Sequence, residues 1–278
     1  MTPRNLIRDA AESFRGAGVP DPEFDSGQLL SRVCGRPPLS LLLDTDTALD
    51  NSVIDRFRVL CDRRIRREPL QYILEDAPFC GRLFHVDPRV LIPRPETELL
   101  CEWATEIISG CGKPDALDLC CGSGCLGISL KLNYPPASVW LSDISADALD
   151  VAKQNSLCLG ADVCFFRSDL FSSLPPRVFD LIVSNPPYIP SGECKVLQPE
   201  VSAEPITALD GGADGLDYYR RICRESPRYL RPGGWLLMEL GDGECTAVKD
   251  LLSLNGFSDI TIRSDYQSID RMIGGRVS

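Results

Sequence analysis

Histidine is nearly absent from this 278-residue sequence, with His85 as its one example, and no two of its 13 cysteines stand in C-x-x-C spacing. Structural zinc sites are built from such cysteine pairs and from histidines, and the cluster of Cys120, Cys121 and Cys125 lacks their spacing. We therefore expect no metal site. Many of the other cysteines lie singly within apolar runs, where a free thiol behaves as a small hydrophobe. This pattern predicts reduced thiols and a cytoplasmic protein.

Long apolar runs are also missing. The aliphatic stretch around Leu39 to Leu43 is far shorter than the roughly 20 residues that a membrane-spanning helix needs. The first residues, Met1 to Arg4, lead into mixed polar sequence rather than into the apolar core of a signal peptide. We expect neither secretion nor membrane insertion. A hydrophobic content of 44% still allows a large core, in one large domain or in a large and a small one.

Positive charge is scarce beyond the N-terminal part. The net charge of the chain is −11, of which residues 1–85 carry −1 and residues 86–278 the other −10. So acidic a region is poorly suited to tracking a phosphate backbone, and we expect no direct binding of nucleic acid. The N-terminal part contains an arginine run that fits either a solvated helix face or a partner-binding patch: Arg56, Arg58, Arg63, Arg64, Arg66 and Arg67.

The spacing of apolar residues divides the chain into three parts. Up to about residue 70 they recur at helical spacing, which predicts a small helical domain over residues 1–75. Short apolar runs from Phe79 to Ile92, separated by Gly81 and by Asp87-Pro88, predict a β-hairpin within a connector over residues 76–93. Residues 94–278 open with a helical segment from Glu96 to Ile108 and form the third part.

In this third part, strand-like runs alternate with helical stretches. We predict strands near Ala116 to Cys120, Val139 to Asp143, Val163 to Ser168, Asp180 to Ser184, Trp235 to Leu240, Ile260 to Ile262, and Met272 to Ile273. Such alternation predicts an α/β domain with a parallel sheet and helices on both faces. Because ligands bind at the carboxyl ends of the strands in such sheets, the residues that follow each run are candidate site residues.

A glycine loop, DLCCGSGCLG, follows the first strand-like run. Gly122 and Gly124 would let the backbone approach a ligand at a helix N-terminus. With Asp143 ending the next strand, the pattern also fits a dinucleotide-binding fingerprint, since a carboxylate there would hold a ribose diol. A glycine turn without a ligand, and a helix-start role for Asp143, remain open at this point.

The fourth strand-like run ends abruptly in Asn185-Pro186-Pro187-Tyr188, a tetrapeptide typical of enzymes that methylate amino groups with S-adenosylmethionine. An amide or aromatic amine nitrogen is a poor nucleophile because its lone pair is delocalised. The Asn185 side-chain carbonyl and the Pro186 backbone carbonyl would hold its two N–H groups and align it with a methyl donor. The two prolines would keep these acceptors rigid, and Tyr188 would pack on the planar substrate group. A purely structural double-proline turn is the other interpretation.

Seven stretches together resemble the protein-(glutamine) methyltransferases of peptide-chain release factors, the PrmC/HemK family, over essentially the full length. They are REPLQYI (Arg67 to Ile73), VLIPRPETELL (Val90 to Leu100), LDLCCGSGCLGISL (Leu117 to Leu130), SNPPYIP (Ser184 to Pro190), EPITALDGGADGLDYYRRI (Glu204 to Ile222), LRPGGWLLMELG (Leu230 to Gly241) and DRMIGGR (Asp270 to Arg276). The tetrapeptide is shared with nucleic-acid methylases, whereas PRPETE and the EP…ALDGG segment are more specific.

The resemblance implies an α/β fold, with a seven-stranded Rossmann-like S-adenosylmethionine-dependent methyltransferase domain and a small N-terminal helical domain. It also implies S-adenosylmethionine as cofactor, methylation of the glutamine in the Gly-Gly-Gln motif as activity, and release factors as partners, gripped by the helical domain. The resemblance implies that the methionine part of the cofactor is held by Cys120, Cys121, Gly122, Ser123 and Gly124, that Asp143 binds its ribose and that Leu170 lies near its adenine. It implies that the glutamine is bound by Asn185, Pro186, Pro187 and Tyr188. Of these, Asn185 and Pro186 would be catalytic, and Asn185 would also contact the cofactor.

The sequence departs from the family pattern at three positions. Cys120 and Glu75 stand where the family usually has glycine, and Leu170 stands where an aromatic residue is common. Other functions also remain open on the residues alone. A nucleic-acid amino-methyltransferase would share Asn185 to Tyr188, a nicotinamide oxidoreductase would explain the glycines and Asp143, and a non-catalytic scaffold would explain the fold but would not require the tetrapeptide.

Overall fold

The computed structural model describes all 278 residues, which form two compact units. The smaller unit comprises Met1–Asp76 and the distant segment Gln198–Ala203, and the larger one Ala77–Leu197 and Glu204–Ser278. The α-helices are α1 Pro3–Gly16, α2 Pro22–Cys34, α3 Pro38–Leu42, α4 Asn51–Ile65, α5 Leu70–Leu74, α6 Pro95–Ser109, α7 Cys125–Asn133, α8 Ala146–Leu159, α9 Pro199–Ser202, α10 Asp217–Glu225 and α11 Cys245–Leu254. The strands are β1 Asp76–Phe79, β2 Arg82–His85, β3 Asp115–Leu119, β4 Ser138–Asp143, β5 Cys164–Arg167, β6 Phe179–Ser184, β7 Leu230–Glu239, β8 Phe257–Ser264 and β9 Asp270–Val277. Three 3₁₀ turns complete the assignment, at Glu193–Lys195, Ile206–Ala208 and Ser226–Arg228.

The smaller unit is helical and packs around a core of its own. The helix boundaries follow from the local sequence: Thr2 caps α1 by accepting from Asn5 N, and Gly35, in the left-handed conformation, ends α2. The core consists of apolar side chains from α1 to α5, among them the fully buried Phe14, Leu29, Leu30 and Leu41. No helix in the structure is both long enough and apolar enough to cross a membrane.

The arginine run of α4 and the two residues after it is divided between buried and exposed side chains. Arg64 is only 3% exposed and pairs with Asp25 at 2.7 Å and with Glu200 of α9 at 2.9 Å. Arg67 forms a two-pronged contact with the same Glu200 carboxylate, at 2.6 and 2.7 Å. Arg63 pairs with Glu68, whereas Arg56, Arg58 and Arg66 are exposed. Part of the run is thus an internal ion-pair network that holds α9 in the helical unit.

The larger unit contains a seven-stranded sheet in the order β5-β4-β3-β6-β7-β9-β8. Strands β3 to β7 are parallel, and β9 pairs antiparallel with both β7 and β8. Apolar side chains of α6, α7 and α8 cover one face, and those of α10 and α11 cover the other. This is the predicted α/β fold with helices on both faces. The predicted fold class is thereby confirmed, with strand boundaries shifted by a few residues.

The β-hairpin is shorter than the sequence predicts and begins earlier. Its strands, β1 and β2, are joined by Cys80 and Gly81, both at positive φ (47° and 71°), as expected for a tight two-residue hairpin turn. After His85 the chain leaves the ladder, because the Asp87 side chain accepts from Arg89 N at 3.0 Å and the Asp87 carbonyl accepts from Val90 N at 3.1 Å. This turn directs the chain along the carboxyl edge of the sheet toward α6.

Candidate active site

A cleft lies at the carboxyl ends of β3, β4, β5 and β6, where the sequence predicts the ligand. It encloses about 660 Å³, a volume that includes its opening to solvent. Its walls come from the ends of all four strands, from the segment before α6 and from the loop after β6, and they include Leu91, Cys120, Gly122, Asp143, Ile144, Ala148, Asp169, Leu170, Asn185, Pro187, Thr207 and Tyr218. Six of the predicted site residues therefore share one cleft: Cys120, Gly122, Asp143, Leu170, Asn185 and Pro187.

A second, smaller pocket adjoins the cleft beneath the glycine loop. Its volume, including its opening to solvent, is about 400 Å³, and it shares Leu91, Cys120, Gly122 and Asn185 with the cleft. Its other lining residues include Thr97, Asp118, Cys121, Ser123 and Cys125. An extended ligand in the cleft could therefore continue past Cys120 into this pocket.

The glycine loop has a left-handed backbone at alternate positions. Cys120, Gly122 and Gly124 have φ of 63°, 52° and 78°. Gly124 is the N-cap residue of α7 and faces the core, where a Cβ would approach Ile128 and Leu141 to about 3 Å. Glycine is required at position 127 for a similar reason, since a Cβ there would lie 2.9 Å from the Asp118 side chain, which accepts from Gly127 N. These two glycines allow α7 to pack closely on the sheet, and Cys120 and Gly122 form the surface that faces the pocket.

Asp143 fixes the loop from the next strand. Its Oδ2 accepts from Gly122 N and its Oδ1 from Ser145 N, each at 2.9 Å. Burial raises the pKa of the carboxyl, while the backbone N–H groups of Ser145, Gly122 and Ile144 oppose that shift. An ionised carboxylate has about four lone-pair sites, so these three N–H groups leave acceptor capacity for a hydroxyl group of a ligand.

Apolar side chains line the outer end of the cleft. Leu170 is only 3% exposed and has φ of 50°, which is uncommon for a non-glycine residue. Ile144, next to Asp143, is 49% exposed although it is a large apolar residue. Tyr218 of α10 also lines the cleft. The surroundings of Asp143 therefore suit a ligand that combines hydroxyl groups with a flat apolar ring.

The tetrapeptide after β6 is supported from both sides. Ser184 Oγ donates to Leu119 O at 2.7 Å, which ties the end of β6 to the end of β3. Asn185 Nδ2 donates to Thr97 Oγ1 of α6 at 3.2 Å, and Thr97 Oγ1 donates to Glu239 Oε2 at 2.6 Å. Pro186 and Pro187 are buried, and burial raises the pKa of the Tyr188 phenol, which therefore stays protonated.

The segment LDGGADG packs against the same tetrapeptide. Ile189 N donates to Leu209 O at 2.9 Å, and Gly211 N donates to Ile189 O at 2.8 Å. A Cβ on Gly211 would lie 2.7 Å from Tyr188 Cα, and one on Gly215 would lie 2.5 Å from Tyr188 O. The glycines of this segment are therefore required by its close approach to the backbone at Tyr188.

Glu204 anchors the segment that precedes α6. This carboxylate is 5% exposed, accepts from Ile92 N at 3.0 Å and pairs with the Arg94 guanidinium. Leu91, next to that anchor, lines both pockets. The stretches PRPETE and EPITALDGG, far apart in sequence, therefore meet beside the cleft.

The thiols at the site are poor nucleophiles. Burial raises the pKa of Cys120, Cys121 and Cys125, and nearby carboxylates add to the effect. A cysteine reacts as its thiolate, so these neutral thiols do not make a nucleophilic centre.

Several residues at the site had no predicted role, among them Thr97, Ile144, Glu204 and Glu239. Thr97, Glu204 and Glu239 fall within the stretches that carry the family resemblance, so the sequence marks their importance. Their function depends on contacts between residues more than 100 positions apart, such as Ile92 with Glu204 or Thr97 with Glu239, and the sequence pattern does not reveal those contacts.

Comparisons with known proteins place this chain among methyltransferases. Residues 5–74 match the family model "PrmC N-terminal domain", and residues 97–199 match "Methyltransferase small domain". A release factor glutamine methyltransferase of Geobacter sulfurreducens is 43% identical over 98% of this chain and 96% of its own length. One of Chlorobaculum tepidum is 40% identical, over 96% and 94%. Among solved structures, a methyltransferase from Pyrococcus furiosus is similar in fold, with a TM-score of 0.54 and 16% identity over 80% of this chain and 98% of that one.

Proposed function

This chain belongs to the release factor glutamine methyltransferase family, and we propose that it methylates the side-chain amide nitrogen of the glutamine in the Gly-Gly-Gln motif of peptide chain release factors. S-adenosylmethionine is the methyl donor of this proposal. The observation that carries it is the rigid tetrapeptide beside the cleft, where the Asn185 amide is held through its nitrogen by Thr97. That bond leaves the Asn185 oxygen available for a substrate N–H.

The residues of the cleft fit S-adenosylmethionine in chemistry. Asp143 offers acceptors to the ribose hydroxyls, Ile144 and Leu170 offer apolar surface to the adenine, and Cys120 and Gly122 lead into the pocket for the methionine part. When bound there, the cofactor supplies an electrophilic methyl group on a sulfonium. The neutral thiols of Cys120 and Cys121 are compatible with such an electrophile, because a thiolate would compete for the methyl group.

The tetrapeptide prepares the amide nitrogen for attack. Asn185 Oδ1 and the Pro186 carbonyl accept its two N–H groups, which holds the nitrogen in one orientation and favours localisation of its lone pair. Tyr188 packs on the planar amide. No general base is required, because the alkylated nitrogen becomes acidic and loses its proton to water. The preorganised acceptors are therefore the main catalytic contribution of the protein.

The helical unit is proposed to bind the release factor away from the glutamine. We propose residues 1–75 as this recognition domain, 76–93 as the connector and 94–278 as the catalytic domain, although the short segment Gln198–Ala203 groups with the helical unit. Arg56 and Arg58 of α4 and Arg66, which follows it, are exposed and are the candidates for contacts with the partner, since Arg63, Arg64 and Arg67 are paired internally.

The test is incubation of the protein with labelled S-adenosylmethionine and a purified release factor. Parallel samples contain the release factor with its Gly-Gly-Gln glutamine changed to alanine, duplex DNA, or ribosomal RNA. We expect label on the unmodified release factor alone, with a mass increase of one methyl group on the peptide that contains the glutamine. Label on DNA or RNA and none on the release factor would favour the nucleic-acid amino-methyltransferase instead.

A further inference from the structure

A buried chain of two hydrogen bonds runs from Asn185 into the protein. Asn185 Nδ2 donates to Thr97 Oγ1 at 3.2 Å, and Thr97 Oγ1 donates to Glu239 Oε2 at 2.6 Å. Thr97 is 3% exposed and Glu239 2%, so water does not compete for these bonds. Neither Thr97 nor Glu239 belongs to the tetrapeptide, and they come from α6 and from the end of β7.

The chemistry of the three groups fixes which atom donates and which accepts in each of the two hydrogen bonds. An ionised carboxylate only accepts hydrogen bonds, so Thr97 must spend its one hydroxyl proton on Glu239. The Thr97 oxygen then faces Asn185 with lone pairs alone and can only accept. Asn185 must therefore turn its NH₂ toward Thr97, and its Oδ1 must point the other way. With Thr97 and Glu239 absent, the two orientations of the amide would differ little in shape.

Building on the function proposed above, we propose that Thr97 and Glu239 are positioning residues that present Asn185 Oδ1, and not Nδ2, to the substrate. The consequence is specificity for glutamine over glutamate at the methylated position. A glutamine amide brings N–H donors to Asn185 Oδ1 and the Pro186 carbonyl. A glutamate carboxylate brings only acceptors, so it meets two acceptors and is rejected.

The protonation state of Glu239 should govern the orientation of the Asn185 side-chain amide. Burial raises the pKa of Glu239 to about 7, with Glu96 adding to the shift and the Thr97 hydrogen bond, Arg271 and Arg94 opposing it. The titratable groups around Glu239 come from several elements: Arg94 and Glu96 at the start of α6, Cys125 of α7, Tyr188 after β6, Tyr219 of α10 and Arg271 of β9. A protonated Glu239 can itself donate to Thr97, which frees the Thr97 proton for Asn185. The orientation is therefore fixed above about pH 7 and is released as the pH falls below it.

The first experiment measures binding rather than turnover. Calorimetry at pH 8, with S-adenosylhomocysteine present, compares a release factor with its glutamine-to-glutamate variant, for the wild-type protein and for Thr97→Val. We expect the preference for glutamine to fall roughly tenfold in Thr97→Val, the effect of about one hydrogen bond. Thr97→Ser keeps the hydroxyl and should restore the preference. Thr105→Val is the matched control on α6, because the Thr105 hydroxyl bonds only to Cys101 O of its own helix, at 2.8 Å.

The second experiment follows the single-turnover rate of methyl transfer from pH 6 to pH 8.5. We expect the wild-type rate to rise with a midpoint near pH 7 and the step to vanish in Glu239→Gln. Glu244→Gln is the control, because burial also raises the pKa of Glu244 to about 7 while its carboxylate bonds to Gly241 N and to Tyr219 rather than to Thr97. The step should persist in that variant.

The outcomes separate the two proposals. A wild-type protein that methylates no release factor overturns the proposed function. A wild-type protein that does so, with an unchanged glutamine preference in Thr97→Val, overturns the positioning role. If Thr97→Val does not fold, the pH profile decides alone: a step that survives in Glu239→Gln, or that disappears in Glu244→Gln, overturns the role of Glu239.

Discussion

Gly122 N donates to Oδ2 of Asp143 at 2.9 Å, so the carboxylate at the end of β4 holds the loop that follows β3. Oδ1 of the same carboxylate accepts from Ser145 N, at the start of α8. Asp143 therefore shapes the cleft as well as lining it. A substitution at this position is expected to act on both the ligand and the loop.

Replacing Asp143 with alanine should weaken binding of S-adenosylmethionine by roughly 1.5–3 kcal/mol, the range for a hydrogen bond that involves a charged group. The protein should stay folded, because the sheet and its two apolar faces are unaffected. Asp143→Asn is the control that keeps one acceptor oxygen, and its loss of affinity should be smaller. Calorimetry measures both. An unchanged affinity in a folded Asp143→Ala protein would remove Asp143 from the site.

The glycine loop offers a second test at Cys120, whose φ of 63° favours glycine. Cys120→Gly should preserve or improve cofactor affinity, and its stability should change by no more than about 1 kcal/mol because relief of strain offsets the greater freedom of the unfolded chain. Cys120→Val should lower both the cofactor affinity and the free energy of unfolding, since a β-branched residue is a genuine outlier at positive φ. Urea unfolding and calorimetry give the two quantities. A large loss of affinity in a stable Cys120→Gly protein would mean that the thiol makes a necessary contact.

The three departures from the family pattern lie at positions with a left-handed backbone. Cys120 and Glu75, which stand where glycine is usual, have φ of 63° and 60° in the structure, and Leu170 has φ of 50°. At the first two positions this chain therefore adopts a left-handed backbone, which favours glycine, without having glycine there. The order of elements and the place of Asn185 after β6 could also be predicted, because they depend on local apolar patterns.

Other features could not be predicted because they depend on long-range contacts. Nothing near Glu200 indicates that α9 joins the helical unit, which it does through Arg64 and Arg67, more than 130 residues away. The partnership of Thr97 with Glu239 spans 142 residues. The sequence predicts a longer hairpin than the structure contains for a local reason. The Asp87 side chain accepts from Arg89 N and closes a turn, and this turn ends the strand although the apolar pattern continues.

The ion pairs of Arg64 predict a specific weakness of the helical unit. Arg64→Leu leaves Asp25 and Glu200 without their buried partner and should cost about 3–5 kcal/mol of unfolding free energy. Arg66→Leu, on the exposed part of the run, should cost little. Urea unfolding of both variants, followed by helical circular dichroism, is the measurement. Equal stabilities would contradict a structural role for Arg64.

The ion pairs of Glu200 predict a loss of stability in acid. Although burial opposes the shift, interactions with Arg67 and Arg64 lower the pKa of Glu200 to about 2. A carboxyl whose pKa is depressed by folding contributes stability above its unfolded value of about 4.5, and this contribution is lost as the pH falls toward 2. Glu200→Gln should therefore be less stable than wild type at pH 7, and the difference should shrink at pH 3.

Gly211 tests the packing that supports the tetrapeptide. Gly211→Ala would bring a Cβ to 2.6 Å from Gly215 O and 2.7 Å from Tyr188 Cα, both of them backbone atoms that cannot move aside freely. We expect methyl transfer to fall by roughly 10²-fold, the effect of a displacement of about 1 Å at a catalytic group. Gly192→Ala is the matched control, because a Cβ there meets nothing within 4 Å. Single-turnover rates that agree for the two variants would show that the segment does not position Tyr188.

Asn185 is the direct test of the acceptor cradle. Asn185→Ala removes the side-chain acceptor for the substrate N–H, so the loss should appear in the methyl-transfer step while cofactor affinity falls much less. Removing one preorganised hydrogen-bonding group typically lowers turnover by about 10²–10³, a range known from oxyanion-hole donors. Asn185→Asp keeps acceptor oxygens but adds a charge and loses the N–H that binds Thr97, so we expect partial activity. Single-turnover methylation of a release factor by both variants, with cofactor binding measured in parallel, gives the comparison. Wild-type rates in Asn185→Ala would mean that Asn185 is structural and that another group holds the methyl acceptor.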